Sequence, residues 1–189
     1  MLSQNTSQNL PHKIYYHILQ GSRYTFADER NKKKLLDIVL ATQDQEKWCI
    51  YAFCITDDKA YFLMGVNEEQ NFLLGLQKIT EQFTQYSNAN RNRFWQAEVP
   101  VLSFYIEELY SAEDLAVYCR KVHHVPLEKG YVEHLADDWW SSYITYIGIY
   151  TWEMVEEGAL LLHFSQDEEL ARRKFRQYHC RKVNISRLL

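Results

Sequence analysis

The run Ile14-Tyr15-Tyr16-His17-Ile18-Leu19 is rich in β-branched and aromatic residues and closes at Gly21, which predicts a strand. Asp28 then caps a predicted helix with Leu35, Leu36 and Val39 on one side. Trp48 to Ile55 and Ala60 to Val66 are apolar runs joined by a short acidic turn, a hairpin. Phe72, Leu76, Ile79, Phe83 and Tyr86 recur at helical spacing and predict a helix over 69–88. Val101 to Glu107 alternates well enough for a fourth strand. Ser111, with Asp114 three positions later, opens a third helix whose stripe is Leu115, Tyr118 and Val122 and whose end is marked by Pro126. The order is that of an α+β fold, a ferredoxin-like β-α-β-β-α-β sandwich with an antiparallel sheet.

Beyond Gly130 the texture changes. Trp139-Trp140-Ser141-Ser142-Tyr143 is an aromatic cluster, and Ser165-Gln166-Asp167-Glu168 reads as a capping box for a last helix running to about Lys182. Its basic residues Arg172, Arg173 and Arg176 fall mostly opposite Phe175. The expected organisation is a flexible N-terminus at 1–12, one domain at 13–132, and an aromatic loop with a C-terminal helical extension at 133–189. A chain of 189 residues with 47% hydrophobic content suits this size.

Net charge is only −4, so bulk charge does not select a polyanionic partner; the distribution says more. Basic residues gather at Arg30 to Lys34, at Arg91 and Arg93, and at Arg172 to Arg176. Each gathering is either a phosphate-binding patch or a solvated helix face. The four cysteines (Cys49, Cys54, Cys119, Cys180) lack CxxC or zinc spacing and are expected to be reduced, in a cytoplasmic protein. Cys49 and Cys54, five apart on one strand, are expected to face oppositely. No apolar run approaches the ~18 residues a membrane span needs.

Generic chemistry is sparse. His123 and His124 are adjacent, so on a helix they point about 100° apart and rarely share an ion. His12 and His17 are likewise expected to point oppositely. No GxGxxG, P-loop or GxSxG pattern occurs, and no cysteine has a neighbouring histidine of the kind that activates a thiol. Trp95, Trp139, Trp140 and Tyr143 are candidates for stacking on unpaired bases or, alternatively, for core packing. On the hairpin, alternation sends Lys59 and Tyr61 to one face of the sheet.

The ordered motifs "YYHILQGSRYTFADERNKKKLLDIVL", "YAFCITDDKAYFLM", "RFWQAEV", "YCRKVHHVPLEKGYV" and "DDWWSSYITYIG" resemble the REP-associated branch of the single-strand tyrosine transposases, over about residues 14 to 178. The tail "GALLLHFSQDEELARRKFRQY" is similar to that family's last segment. The resemblance implies DNA transposition with Mg²⁺ or Mn²⁺ through a covalent phosphotyrosine, on hairpin or single-stranded DNA, in a monomer or homodimer.

Laid on this chain, the family's two metal-binding histidines fall on Lys59 and Tyr61. Its nucleophilic tyrosine falls on Lys121, and its metal-holding asparagine on Val125. An ammonium does not ligate Mg²⁺, which takes oxygen donors. The resemblance therefore implies a transposase-like nucleic-acid-binding protein that has lost cleavage, with no catalytic residue intact and no cofactor or metal. Expected phosphate contacts are Arg23, Lys33, Arg91 and Arg93, with Lys59 and Lys121 placing two ammoniums where the ion would sit. Gln96-Ala97-Glu98 stands where the family keeps an arginine. Alternatives are a protein-interaction module on the same fold, or an active transposase using atypical residues.

Overall fold

Lys13–Gln20 forms β1, an interior strand paired antiparallel with β3 (Lys59–Val66) on one side and β4 (Ser103–Leu109) on the other. With β2 (Cys49–Ile55) the sheet runs β2-β3-β1-β4, antiparallel throughout. The computed structural model describes residues 13–21, 24–90 and 102–181. Helices α1 (Glu29–Glu46) and α2 (Glu69–Ala89) pack together and bury Leu35, Leu36, Val39, Phe72, Leu76, Ile79 and Phe83 against one face. Helix α3 (Ala112–Glu128) lies on the other face with Leu115, Cys119, Val122 and Val125 inward. This is the expected α+β sandwich, extended at its C-terminus by helices.

The caps are those that short polar side chains favour. Asp28 accepts the Arg30 N–H, and Ser111 and Asp114 exchange the two bonds of a capping box, both at 3.1 Å. Two predicted ends move. Helix α3 passes through Pro126 to Glu128, because a proline removes one N–H while the Lys129 N–H still reaches the Val125 carbonyl. The last helix is capped by Asp167, which accepts from the Leu170 N–H, while Ser165 accepts from the Asp167 N–H one step earlier.

Strand β2 breaks a parity expectation. Ile50 faces Met64 across the ladder and Ala52 faces Leu63, so Tyr51 is an extra residue, a bulge. Tyr51 and Ala52 consequently join the same core layer. Cys54 lies in that layer and Cys49 packs against it, so the two cysteines share a face instead of opposing each other. All four cysteines are free thiols.

The tail closes the outer edge of β2. A short 3-10 turn (Leu135–Asp137) is followed by α4 (Tyr143–Tyr146), α5 (Gly158–Phe164) and α6 (Glu168–Cys180). The Ile55 N–H reaches the Trp140 carbonyl at 2.9 Å, and the Ser142 N–H reaches the Phe53 carbonyl at 2.9 Å. The Phe53 N–H donates to Ser142 Oγ, the Tyr146 hydroxyl to the Tyr51 carbonyl, and the Glu156 N–H to the Ile50 carbonyl. An edge strand that would template association is thereby paired within the chain. Among the described residues no helix is long and apolar enough to cross a membrane.

Gly75 in α2 gives a stability prediction with an unusual sign. Glycine to alanine inside a helix ordinarily gains up to about 1 kcal/mol. Here a Cβ would sit 2.3 Å from the Trp48 ring, itself buried between the helices and the sheet. Gly75→Ala is expected to lose about 1–3 kcal/mol in urea unfolding, from overpacking. A gain would contradict this packing.

Candidate nucleic-acid interface

The α3 face of the sheet carries the polar constellation. Alternation brings Lys59, Tyr61 and Leu63 of β3, Tyr16 and Ile18 of β1, and Tyr105 and Glu107 of β4 to this side. Tyr118 of α3 meets Tyr16 edge to face, with ring centroids 5.2 Å apart. Its hydroxyl donates to Glu107 Oε1, and the Tyr105 hydroxyl donates to Glu107 Oε2 at 3.4 Å. The Lys121 ammonium sits 4.7 Å from both the Tyr16 and the Tyr118 ring centroids. Its positive charge is held by ring faces, a cation–π arrangement.

The phenols are not ionised by this setting. Burial pushes the Tyr16 hydroxyl upward, and the neighbouring Tyr61, Glu107, Tyr118 and Tyr105 add to it. Tyr118 rises for the same reasons, burial first and then its bond to Glu107. Tyr61 is buried and also raised, against the opposing influence of an ammonium. That ammonium belongs to Lys129, 5.9 Å from the Tyr61 ring centroid and 3.1 Å from Asp58 Oδ1.

Of the predicted positions, Tyr61 and Val125 share one buried cluster, and Lys121 stands above Tyr16, next to it. Lys59 begins β3 opposite Gln20, half exposed, at the hairpin end of the same face. Neither Lys59 nor Lys121 makes an ion pair among the described residues. Lys33 lies on α1, across the sheet from α3, and pairs with Asp37 at 3.0 Å. Arg23, Arg91 and Arg93 lie outside the described residues, as do Trp95 and His12.

The other basic runs largely have partners of their own. Arg30 pairs with Asp28, Lys32 with Asp57, and Lys34 sits over the Tyr86 ring. Arg172 and Arg176 bind carbonyls and carboxylates of the tail. Trp140 packs against Trp152 and Tyr143 is buried, which leaves Trp139, beside Tyr150, as the exposed ring of the cluster. Sequence reasoning missed Lys129, Tyr16 and Glu107. Lys121, Val125 and Lys129 lie four apart on one helix face, a spacing that signalled the first. It also missed that Cys119 does have a histidine neighbour, since His123 Nδ1 lies 3.7 Å from its sulfur one helical turn on. Burial keeps that thiol protonated, so it is not an activated one.

No family model matches the chain, and no curated protein matches it. Among solved structures it is similar to a REP-associated tyrosine transposase bound to a REP hairpin, with a TM-score of 0.61 and 10% identity over 78% of this chain and 93% of that one. A putative transposase from Deinococcus radiodurans aligns with a TM-score of 0.40 and 16% identity over 62% of this chain and 94% of its own. The tRNA(His) guanylyltransferase of Saccharomyces cerevisiae aligns with a TM-score of 0.45 and 10% identity over 93% of this chain and 74% of its own. The first of these establishes a transposase-like fold and, at that identity, the fold alone.

Proposed function

We propose that this chain is a transposase-like nucleic-acid-binding protein that holds structured or single-stranded DNA, hairpins included, without cutting it. The observation that carries the reading is the Lys121 ammonium, seated on two tyrosine rings with no carboxylate paired to it among the described residues, on the same sheet face as Lys59 and Lys129. Ammoniums held this way attract a phosphate through charge-assisted hydrogen bonds, and flanking rings offer stacking.

The dication implied by the family resemblance does not fit the donors present. Lys59, Lys121 and Val125 offer no oxygen, and the Tyr61 hydroxyl is engaged by Lys129. The nearby carboxylates are occupied, Glu107 by two phenols and Asp58 by Lys129 and Thr56. Burial raises the Tyr16 and Tyr118 hydroxyls, so neither is an activated nucleophile at neutral pH. A second reading, a protein-interaction module, draws on Phe104, Tyr105 and Tyr110, exposed along and just after edge strand β4.

Titration of labelled hairpin and single-stranded DNA between about 50 and 200 mM salt tests the proposal. The Lys59→Ala/Lys121→Ala double variant is expected to bind weakly, with the log–log salt slope reduced by roughly 1.5. An unchanged slope removes these lysines from the interface, and no binding by the wild type favours the interaction module. Nicking of DNA with Mg²⁺ or Mn²⁺ that Tyr118→Phe or Tyr61→Phe abolishes would overturn the loss of cleavage.

A further inference from the structure

Where α3 meets α6, three buried side chains converge away from the interface above. His123 Nδ1 lies 3.1 Å from His179 Nε2 and 3.7 Å from Cys119 Sγ, and the three atoms all fall within 4.8 Å of one another. Cys119, His123 and His179 are each buried. The adjacent histidines do part company as helix geometry requires. His124 turns its Nε2 to the His179 carbonyl, so it takes no part.

The protons decide what this cluster holds. His179 Nδ1 lies 3.1 Å from the Phe175 carbonyl, which only accepts, so this nitrogen carries the hydrogen and Nε2 presents a lone pair. On the other ring, His123 Nε2 is 2.7 Å from Ser142 Oγ, and that hydroxyl also lies 3.2 Å from the Phe53 carbonyl. The hydroxyl has one proton. If it goes to His123 Nε2, the bond to the Phe53 carbonyl is lost. If instead His123 Nε2–H donates to Ser142 Oγ, every polar contact around the serine is satisfied at once, including the Phe53 N–H. His123 Nδ1 then also presents a lone pair, facing those of His179 Nε2 and the Cys119 sulfur. In that arrangement the cluster presents three metal-ligand atoms to one point, with the Cys119 thiol proton the one hydrogen among them.

We propose that Cys119, His123 and His179 form a buried site for a thiophilic metal ion, zinc or monovalent copper, which fastens α6 to α3. Tetrahedral zinc geometry sets nitrogen–nitrogen and nitrogen–sulfur spacings of about 3.3 and 3.5 Å, close to the 3.1 and 3.7 Å that separate His123 Nδ1 from His179 Nε2 and from Cys119 Sγ. The second nitrogen of each imidazole is tied to an oxygen, the outer-shell arrangement that orients metal-binding histidines. On binding, the Cys119 thiol releases its proton to solvent and the sulfur lone pair forms the bond to the ion. A thiolate and two neutral imidazoles balance the charge of monovalent copper in a three-coordinate site, whereas zinc adds a fourth donor, a water or hydroxide.

Elemental analysis of the full chain purified without chelators tests this, together with cobalt(II) titration of the metal-stripped protein. Close to one zinc or copper per chain is expected, as is a thiolate-to-cobalt charge-transfer band that is absent from Cys119→Ala. That variant keeps the His123–His179 contact and so retains the fold. Zinc or monovalent copper is expected to raise the melting temperature of the wild type and not that of Cys119→Ala. Metal-free protein that gives no cobalt band and no thermal shift would overturn the site. So would equal metal binding by wild type and Cys119→Ala.

Discussion

Replacing Arg172 by alanine is expected to destabilise the protein by roughly 2–4 kcal/mol, read as a fall in the urea midpoint at unchanged slope. The Arg172 side chain is four-fifths covered. It forks onto Glu157 at 2.7 and 3.0 Å, donates to the Thr145 and Tyr146 carbonyls at 2.9 and 3.0 Å, and reaches Glu168 from Nε at 3.0 Å. Thr145 and Tyr146 end α4; the Thr145 carbonyl also accepts the Gly148 N–H, whereas the Tyr146 carbonyl, left open by the short helix, takes its donor from the arginine. Truncation strands the Tyr146 carbonyl and a half-buried carboxylate together, which is why the loss exceeds that of a surface ion pair. Arg172→Lys is expected to recover less than half, because one ammonium cannot span the fork and both carbonyls. A loss below about 1 kcal/mol for Arg172→Ala would mean that the tail is held by its apolar contacts alone.

That arginine marks where the sequence is legible and where it is not. Helix α6 is readable from its period, since Phe175 and Ala171 point inward as one stripe. The destination of its cations is not, because Arg172 and Arg176 meet carbonyls some thirty positions earlier, in a loop whose path no local pattern fixes. From sequence, Arg172 to Arg176 and Arg30 to Lys34 look equally like surface patches. In the structure most of these cations meet a carboxylate, a carbonyl or a ring close by, whereas the isolated Lys121 lies against two tyrosine rings on the α3 face.

Strand and helix positions follow from periodicity almost throughout, and the sheet order follows from the β-α-β-β-α-β succession. Period-two reading fails at Tyr51, since a bulge is a tertiary choice: one added residue lets both Tyr51 and Ala52 face α3. The site was half legible. Alternation placed Lys59 and Tyr61 on one face, while Lys121 and Val125 were set opposite them by the family resemblance and not by any pattern in the chain. That Glu107 would receive two phenols, and that Lys129 would curl back over Tyr61, depends on how α3 crosses the sheet. The Cys119–His123–His179 cluster was hidden in the same way, for its third member lies 56 positions beyond the second.

Leucine in place of His17 is expected to stabilise the protein at neutral pH and to do so far more in acid. His17 alternates with Tyr15 and Leu19 toward the α1 and α2 layer, where its ring lies among Leu19, Val39, Phe62, Met64, Leu76 and Ile79. Neither ring nitrogen has a hydrogen-bond partner among the described residues. Burial alone pulls its pKa down to about 3, and none of those neighbours is titratable. Above the ordinary histidine value near 6.5 both folded and unfolded chains carry the neutral ring, so it adds no pH dependence. Below that, the unfolded chain takes up a proton that the folded chain refuses. Stability then falls by about 1.4 kcal/mol per unit as pH drops toward 3, on the order of 4 kcal/mol in all. His17→Leu removes that linkage and the unpaired polar atoms, the latter worth about 1–3 kcal/mol at pH 7. Urea unfolding of both proteins at pH 7 and pH 4 measures it. The carboxylates and other histidines are common to the pair, so the gap between the proteins isolates His17. It should widen in acid, and parallel curves would show that His17 finds a proton acceptor or solvent in the folded state.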